Sequence, residues 1–426
     1  MKRINVGLIG IGTIGKGVYK ALLFNKQFFE EKYQKEVVLR MVCDADRNAQ
    51  RRLGIPGELF TTRYQDILDD KEINVVIELI GGIHPAKEII LSALRAGKHV
   101  ITANKALLAQ ELPGFLQTAY KNKVQLRFEA SVCGGIPIIK SLSEGLAINR
   151  IDSIFGIING TSNYILSRMS EQGCSFAEAL AEAKKKGYAE ANPALDIKGF
   201  DASHKLGILA YLAFDKFIAQ DTIFVQGIEK IAPIDVRYAK ELGLRIKPLA
   251  IAKRIDKDVL EMRVHPTLIP NEHPLASVND VFNGVFIQGG LVGDLLFLGK
   301  GAGEKPTTSA VMSDLIDLLS ETKAFKQRVS SSIKKVKKIN DIQSKYYIRF
   351  TVFDRPGVLS KISGILARHK ISIASVSQKE RGRVKIVPVV ILTHEAREKD
   401  IKAALEKIDS LAFTRKPSVV IHREEI

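Results

Sequence analysis

The chain has 426 residues and a formal net charge of +17, with a pI near 9.6. Hydrophobic residues make up 46% and charged residues 26%, which excludes a disordered or low-complexity protein. At roughly 100–200 residues per domain, this length predicts several domains that bury their cores without disulfide staples.

Three cysteines, Cys43, Cys133 and Cys174, stand far apart with no CxxC pair, and eight histidines are scattered. That pattern fits a reducing compartment and speaks against a disulfide framework or a zinc centre. The N-terminal apolar run is short and is broken by Asn5 and Gly7. It reads as a strand rather than a signal peptide, and no later run of about 18 residues is apolar enough to span a membrane. The expectation is a cytoplasmic protein without a membrane partner. The basic residues are dispersed and carry no helix-turn-helix, finger or RNA-binding signature, so no nucleic-acid partner is expected. A positive surface also suits a phosphate-bearing cofactor.

In chain order, residues 4–9 alternate as a strand, glycines follow at once, and a helix opens near Ile14. Further strands fit 37–43, 74–79, 98–102 and 124–128, with a helix from His84-Pro85 to Gly97. Strands alternating with helices predict βαβ units and an α/β fold with a parallel Rossmann sheet over residues 1–128. Residues 129–320 read as an α+β substrate and dimerisation domain. It has a strand at 151–158, helices at 175–186 and 201–215, and strands around 244–263 and 283–298. Residues 321–344 form a basic linker. Residues 345–426 then follow a βαββαβ order: strand 346–353, helix 358–369, a hairpin of 371–378 and 384–393 turned at Arg381-Gly382-Arg383, helix 396–408 and strand 418–422. This predicts a small ferredoxin-like module.

Gly10-Ile11-Gly12-Thr13-Ile14-Gly15 matches G-x-G-x-x-G between a strand and a helix, the context a dinucleotide needs. Gly10 permits the turn, Gly12 lets the backbone approach a pyrophosphate, and Gly15 lets helix pack on sheet. The helix N-terminus offers free N–H groups to the phosphates. The cofactor is therefore NAD(P), and two choices stay open. Asp44, with Asp46 nearby, suits a ribose 2′-hydroxyl, whereas Arg47, Arg51 and Arg52 suit a 2′-phosphate. Asp44 follows Gly15 by 29 residues, longer than the usual ~20, which predicts an extended first helix or loop.

Five later segments identify a family. Thr102-Ala103-Asn104-Lys105-Ala106-Leu107 resembles T-A-N-K-x-L of homoserine dehydrogenases. Glu129-Ala130-Ser131-Val132-Cys133-Gly134-Gly135-Ile136-Pro137 is similar to their E-A-S-V-x-G-G-I-P. The run from Gly156 through Asn159-Gly160-Thr161-Ser162-Asn163-Tyr164 to Leu166 resembles G-I-x-N-G-T-x-N-Y-I-L. Gly187-Tyr188-Ala189-Glu190, Pro193, Asp196, Gly199, Asp201 and Lys205 match their G-Y-A-E run, and Gly301-Ala302-Gly303 with Pro306-Thr307 matches G-A-G-x-x-P-T.

The resemblance implies reversible reduction of L-aspartate 4-semialdehyde to L-homoserine, toward threonine and methionine. Such a reduction needs a hydride donor beside the carbonyl carbon and a proton donor for the developing alkoxide. By resemblance Lys205 is that proton donor. Asp201 lies four residues before it, on the same helix face. Glu190 and Asp201 hold the substrate ammonium, and Lys105 orients nicotinamide and substrate as a second catalytic lysine. Gly187 and Gly303 line the cofactor with the glycine loop. The resemblance also implies a sodium-type monovalent cation bound through main-chain oxygens at Glu129, Val132, Gly134 and Ile136. Taken alone, Asp201 and Lys205 would read as a surface ion pair and Lys105 as a solvated lysine at a helix start.

Asp354-Arg355-Pro356-Gly357-Val358-Leu359 resembles the D-R-P-G-V-L turn of ACT domains. That implies an amino-acid effector, threonine, received around Asp354, Gly357 and Val358, and a homo-oligomer, dimer or tetramer. Two other readings compete. One is a semialdehyde dehydrogenase that uses Cys133 as an acylating nucleophile, although a small buried thiol on a tight loop is favoured for that residue. The other is an amino-acid sensor on a Rossmann scaffold without turnover.

Overall fold

The computed structural model describes residues 2–320, 335–378 and 386–426. The turn at Arg381-Gly382-Arg383 and most of the basic stretch after residue 320 lie outside the described residues. The chain divides into two compact units: residues 1–152, 204–220 and 287–334, and residues 153–203, 221–286 and 335–426.

The first unit holds a six-stranded parallel sheet. Its order is Phe60–Thr61, Lys35–Cys43, Lys2–Ile9, Val75–Glu78, His99–Thr102, Leu126–Arg127. The strand Val75–Glu78 is buried at every position, as a sheet covered on both faces requires. The extension expected between Gly15 and Asp44 is present: Thr13–Phe24 is followed by a second helix, Lys26–Tyr33. Val6, Leu8, Val18, Leu22, Leu39 and Ile77 share one core with Ala310, Val311, Leu315 and Leu319. Those last four belong to the helix Glu304–Leu319, so a segment far along the chain closes the nucleotide-type sheet. Gly17 makes this possible, since a Cβ there would stand 2.2 Å from Thr308 Oγ1.

In the second unit the strands Leu244–Asp256 and Val259–Pro270 form a long antiparallel pair, extending beyond the 244–263 read from sequence. The chain's final strand, Thr414–Arg423, pairs in parallel with Val259–Pro270 at Thr267 and Leu268. It also leads a four-stranded antiparallel sheet ordered Thr414–Arg423, Gln343–Phe353, Ile386–Thr393, Ile373–Gln378. The helices Val358–Arg368 and Glu398–Asp409 pack on it through Ile362, Ile365, Leu366, Ile401 and Ile408. This is the expected βαββαβ module. It is stitched to the rest of its unit by buried polar groups: Asp235 accepts from Arg349 Nε (2.6 Å) and Nη2 (3.1 Å) and from the Tyr347 hydroxyl (3.0 Å). Among the described residues no helix is long and apolar enough to cross a membrane.

Candidate active site

The first unit carries a dinucleotide cradle. Gly10 has φ +92°, and a Cβ on it would stand 2.8 Å from the Leu79 backbone. A Cβ on Gly15 would stand 1.9 Å from the Gly10 carbonyl oxygen. Both positions therefore demand glycine, one for the turn and one for the close approach of helix to loop. Gly12 differs: a Cβ there would meet no atom within 4 Å, so its face is open to a ligand. Gly12 also N-caps Thr13–Phe24 without a side-chain hydrogen bond, which leaves helix amides, Thr13 and Ile14 among them, for phosphate oxygens. The residues present fit a dinucleotide. Asp44, half-buried at the end of Lys35–Cys43, accepts from the Ile11 amide (2.7 Å) and the Asp46 amide (2.9 Å).

Lys105 begins the helix Lys105–Lys121, and a buried network fixes that start. Asn104 accepts from the Leu107 amide (3.2 Å) and donates to the Gly82 carbonyl (2.6 Å). Thr102 donates to Glu78 (2.6 Å) and accepts from the Asn104 amide (3.0 Å). Burial raises the Glu78 carboxyl above its usual range, against the Thr102 and Ile80 hydrogen bonds. Glu78, Thr102 and Asn104 support Lys105 and were not singled out from sequence. Thr102 and Asn104 stand in the same motif as the lysine, whereas Glu78 carries no local signal.

Gly303, at φ +112°, N-caps Glu304–Leu319 in the same unit. Glu129, Val132, Gly134 and Ile136 are all buried. Gly134 takes φ +38° against the Gly301 carbonyl, and the Gly135 amide donates to the Lys300 carbonyl (3.0 Å). The Glu129 carboxylate accepts from the Ile139 (2.9 Å) and Lys140 (2.8 Å) amides. Burial nonetheless pushes its pKa up to about 7. Cys133 is buried at φ +56°.

In the second unit the key arrangement is a fork. Asn159 accepts from the Ser162 amide (2.8 Å) and so caps the helix Gly160–Gln172. Its amide nitrogen donates to Asp196 Oδ1 (2.7 Å) and to Asp201 Oδ2 (2.8 Å). Thr161 donates to the Tyr188 carbonyl (2.6 Å) and Ser162 to the Asp196 carbonyl (2.9 Å), which tie the loop after Lys185 to this helix start. Glu190 and Gly187 (φ +73°) lie exposed on that loop. Asn159, Asp196, Gly199, Ala202 and His265 line one small recess. Sequence reading chose Asp201 and passed over Asn159 and Asp196, which the fold joins to it. Asp201, 4% exposed, belongs to this unit and Lys205, 7% exposed, to the 204–220 stretch of the first unit; both lie on the helix Phe200–Phe214, one turn apart along it. Their burial rules out an ordinary surface pair.

Around Asp354, Gly357 and Val358 a cavity of about 490 Å³ opens, with Gln378 donating to Asp354 (3.3 Å). Gly357 takes φ +85° to start the helix Val358–Arg368.

Family models match three stretches: a homoserine dehydrogenase NAD-binding domain at residues 10–129, homoserine dehydrogenase at 137–316, and an ACT domain at 346–413. The homoserine dehydrogenase of Neisseria gonorrhoeae is 41% identical over the full length of both chains. The chain belongs to the homoserine dehydrogenase family. The crystal structure of a homoserine dehydrogenase from Thiobacillus denitrificans superposes with a TM-score of 0.92 at 41% identity, covering 100% of this chain and 99% of that one. The Staphylococcus aureus homoserine dehydrogenase gives 0.80 at 32% identity over the whole of both chains. As a member of the homoserine dehydrogenase family, the chain is an NAD(P)-dependent oxidoreductase acting on a CH–OH group, with a C-terminal ACT domain.

Proposed function

We propose that the protein works in the cytoplasm, on the route to threonine and methionine. It reversibly reduces L-aspartate 4-semialdehyde to L-homoserine, and threonine bound at the ACT domain restrains it. The observation that carries the substrate assignment is the Asn159 fork. Two carboxylates, Asp196 and Asp201, converge on one amide, and convergent anions suit the α-ammonium of an amino-acid substrate. Glu190 adds a third carboxylate on the neighbouring loop. Lys205 gives its proton to the aldehyde oxygen as negative charge develops there, and takes one from homoserine in reverse.

The backbone of Gly10, Ile11, Gly12, Thr13, Ile14 and Gly15 holds the pyrophosphate, Asp44 the adenosine ribose, and Lys105, Gly187 and Gly303 the nicotinamide end. Bound NAD(P)H supplies the hydride. Main-chain oxygens of Glu129, Val132, Gly134 and Ile136 hold a sodium-type cation that stiffens the loop. Residues 1–128 serve the coenzyme, 129–320 the substrate and the contact of a homodimer or tetramer, and 345–426 regulation beyond the 321–344 linker. Asp354, Gly357 and Val358 meet the effector.

Mixing the protein with aspartate semialdehyde is expected to oxidise NADH or NADPH, followed by absorbance, and added threonine to slow it. Absence of oxidation with both coenzymes would refute the catalytic reading. A rate indifferent to threonine would remove that effector alone.

A further inference from the structure

Against the recess of the Asn159 fork lies a cluster of buried polar groups that the proposed chemistry does not use. Resting on the substrate and effector readings, we propose that the stacked rings of His265 and His422 couple the ACT module to the substrate site. They act as positioning residues that set how tightly the fork holds the substrate ammonium.

Three observations carry this. First, the strand Val259–Pro270 walls the recess. His265 lines it beside Asn159 and Asp196. Gly199, between the two carboxylates in sequence, takes φ +87°, and a Cβ there would stand 3.1 Å from Val225 and 3.2 Å from Val264. The Ile228 amide donates to the Ile197 carbonyl (3.0 Å). The turn that carries Asp196 and Asp201 is thus seated closely on the residue next to His265, and close-packed neighbours transmit a shift of that strand.

Second, His265 is held in one orientation. A guanidinium only donates, so Arg263 Nη1 donates to His265 Nε2 (3.1 Å) and the ring carries its own proton on Nδ1, toward the Pro266 carbonyl (3.0 Å). Burial first, then the charges of His422 and Arg263, hold its pKa well below the usual histidine value. The neutral ring lies on that of His422 without like-charge repulsion, with centroids 4.1 Å apart and planes inclined by 30°.

Third, His422 belongs to the ACT module. It stands on the last strand, its Nε2 donates to Glu398 (2.9 Å) at the start of the helix Glu398–Asp409, and it pairs opposite Tyr346. Two residues on, Glu424 accepts from Arg263 and Lys253 and ties the same strand to the recess wall. Tyr346 lies near one end of the strand Gln343–Phe353, and Val352 and Phe353 at its other end line the effector cavity. One continuous strand therefore joins that cavity to the ring pair.

His422→Gln keeps an amide to donate to Glu398, and His265→Gln keeps an acceptor for Arg263; each removes the stack. Either is expected to raise KM for aspartate semialdehyde by about threefold to tenfold. The kcat and the coenzyme Kd should stay within about twofold, because the fork binds substrate and transition state alike. The double variant should match the weaker single one within about twofold, since both remove one contact. L-threonine is expected to raise the wild-type KM at least about fivefold and that of either variant less than about twofold, while calorimetry shows it binding all of them. Wild-type KM in the single variants, effects that multiply in the double, or an undiminished threonine response would each overturn the proposal. If L-threonine did not bind the wild type, the effector reading alone would fail, and the double variant would still decide the ring pair. Should a variant not fold, hydrogen exchange in the wild type decides. L-Homoserine should slow it in residues 418–424 as well as 196–201, and unchanged exchange in 418–424 would refute the coupling.

Discussion

Lys205→Met is expected to lower kcat by about 10²–10⁴-fold, the range a positioned general acid supplies, while the Kd for NADH stays within about twofold. The substitution keeps an unbranched stem of similar length at a position only 7% exposed, so packing changes little. What it removes is the ammonium that meets charge developing on the aldehyde oxygen. An interaction made only as that charge appears lowers kcat rather than raising KM. A variant with wild-type kcat would show that another group carries the proton. A variant that lost coenzyme binding would show that Lys205 shapes the fold or the coenzyme site instead.

The largest stability effect is expected at Asp235. This residue is fully buried in the helix Pro233–Glu241. It accepts from Arg349, Tyr347 and the Ala232 amide, with Arg349 and Tyr347 on the first strand of the ACT module. Asp235→Ala strands a guanidinium whose side chain is 10% exposed. Breaking a buried pair from one side costs about 3–5 kcal/mol, and at roughly 2–4 °C per kcal/mol for a unit of this size the thermal midpoint falls by well over 5 °C. Replacing both partners, Asp235→Leu with Arg349→Met, should recover much of that loss because no uncompensated charge remains. Calorimetry of the two variants beside the wild type decides it. A single variant within about 0.5 kcal/mol of wild type, the size of an ordinary surface change, would mean the pair does not hold the ACT module to its unit.

How much of this was legible in the residues depended on whether the signal was local. Strand 37–43 was placed almost as it stands, Lys35–Cys43, because a short run rich in apolar and β-branched residues is written within it. The capping box at Ser175 and Glu178 marks the helix Phe176–Lys185 in the same way. By contrast Lys105–Lys121 contains Pro113, which removes an amide and argues against a helix interior, so its length was hidden. Glu304–Leu319 closes the nucleotide-type core from the far end of the chain, and no local pattern reveals that partnership. In the site, Asp201 and Lys205 could be read only through the resemblance of their run to the family's, since their spacing alone would give a surface ion pair. Asn159 could not, because a side-chain amide has no chemistry of its own until folding sets Asp196 and Asp201 on either side of its nitrogen.

At the centre of the account is hydride transfer from the reduced coenzyme to the aldehyde carbon of an amino-acid substrate. Stereospecifically 4-deuterated NADH, of each hand in turn, tests it by mass spectrometry of the product. One hand is expected to yield homoserine carrying a single deuterium on C4, and the other unlabelled homoserine. Homoserine free of deuterium from both hands, or an oxidised rather than a reduced product, would contradict it.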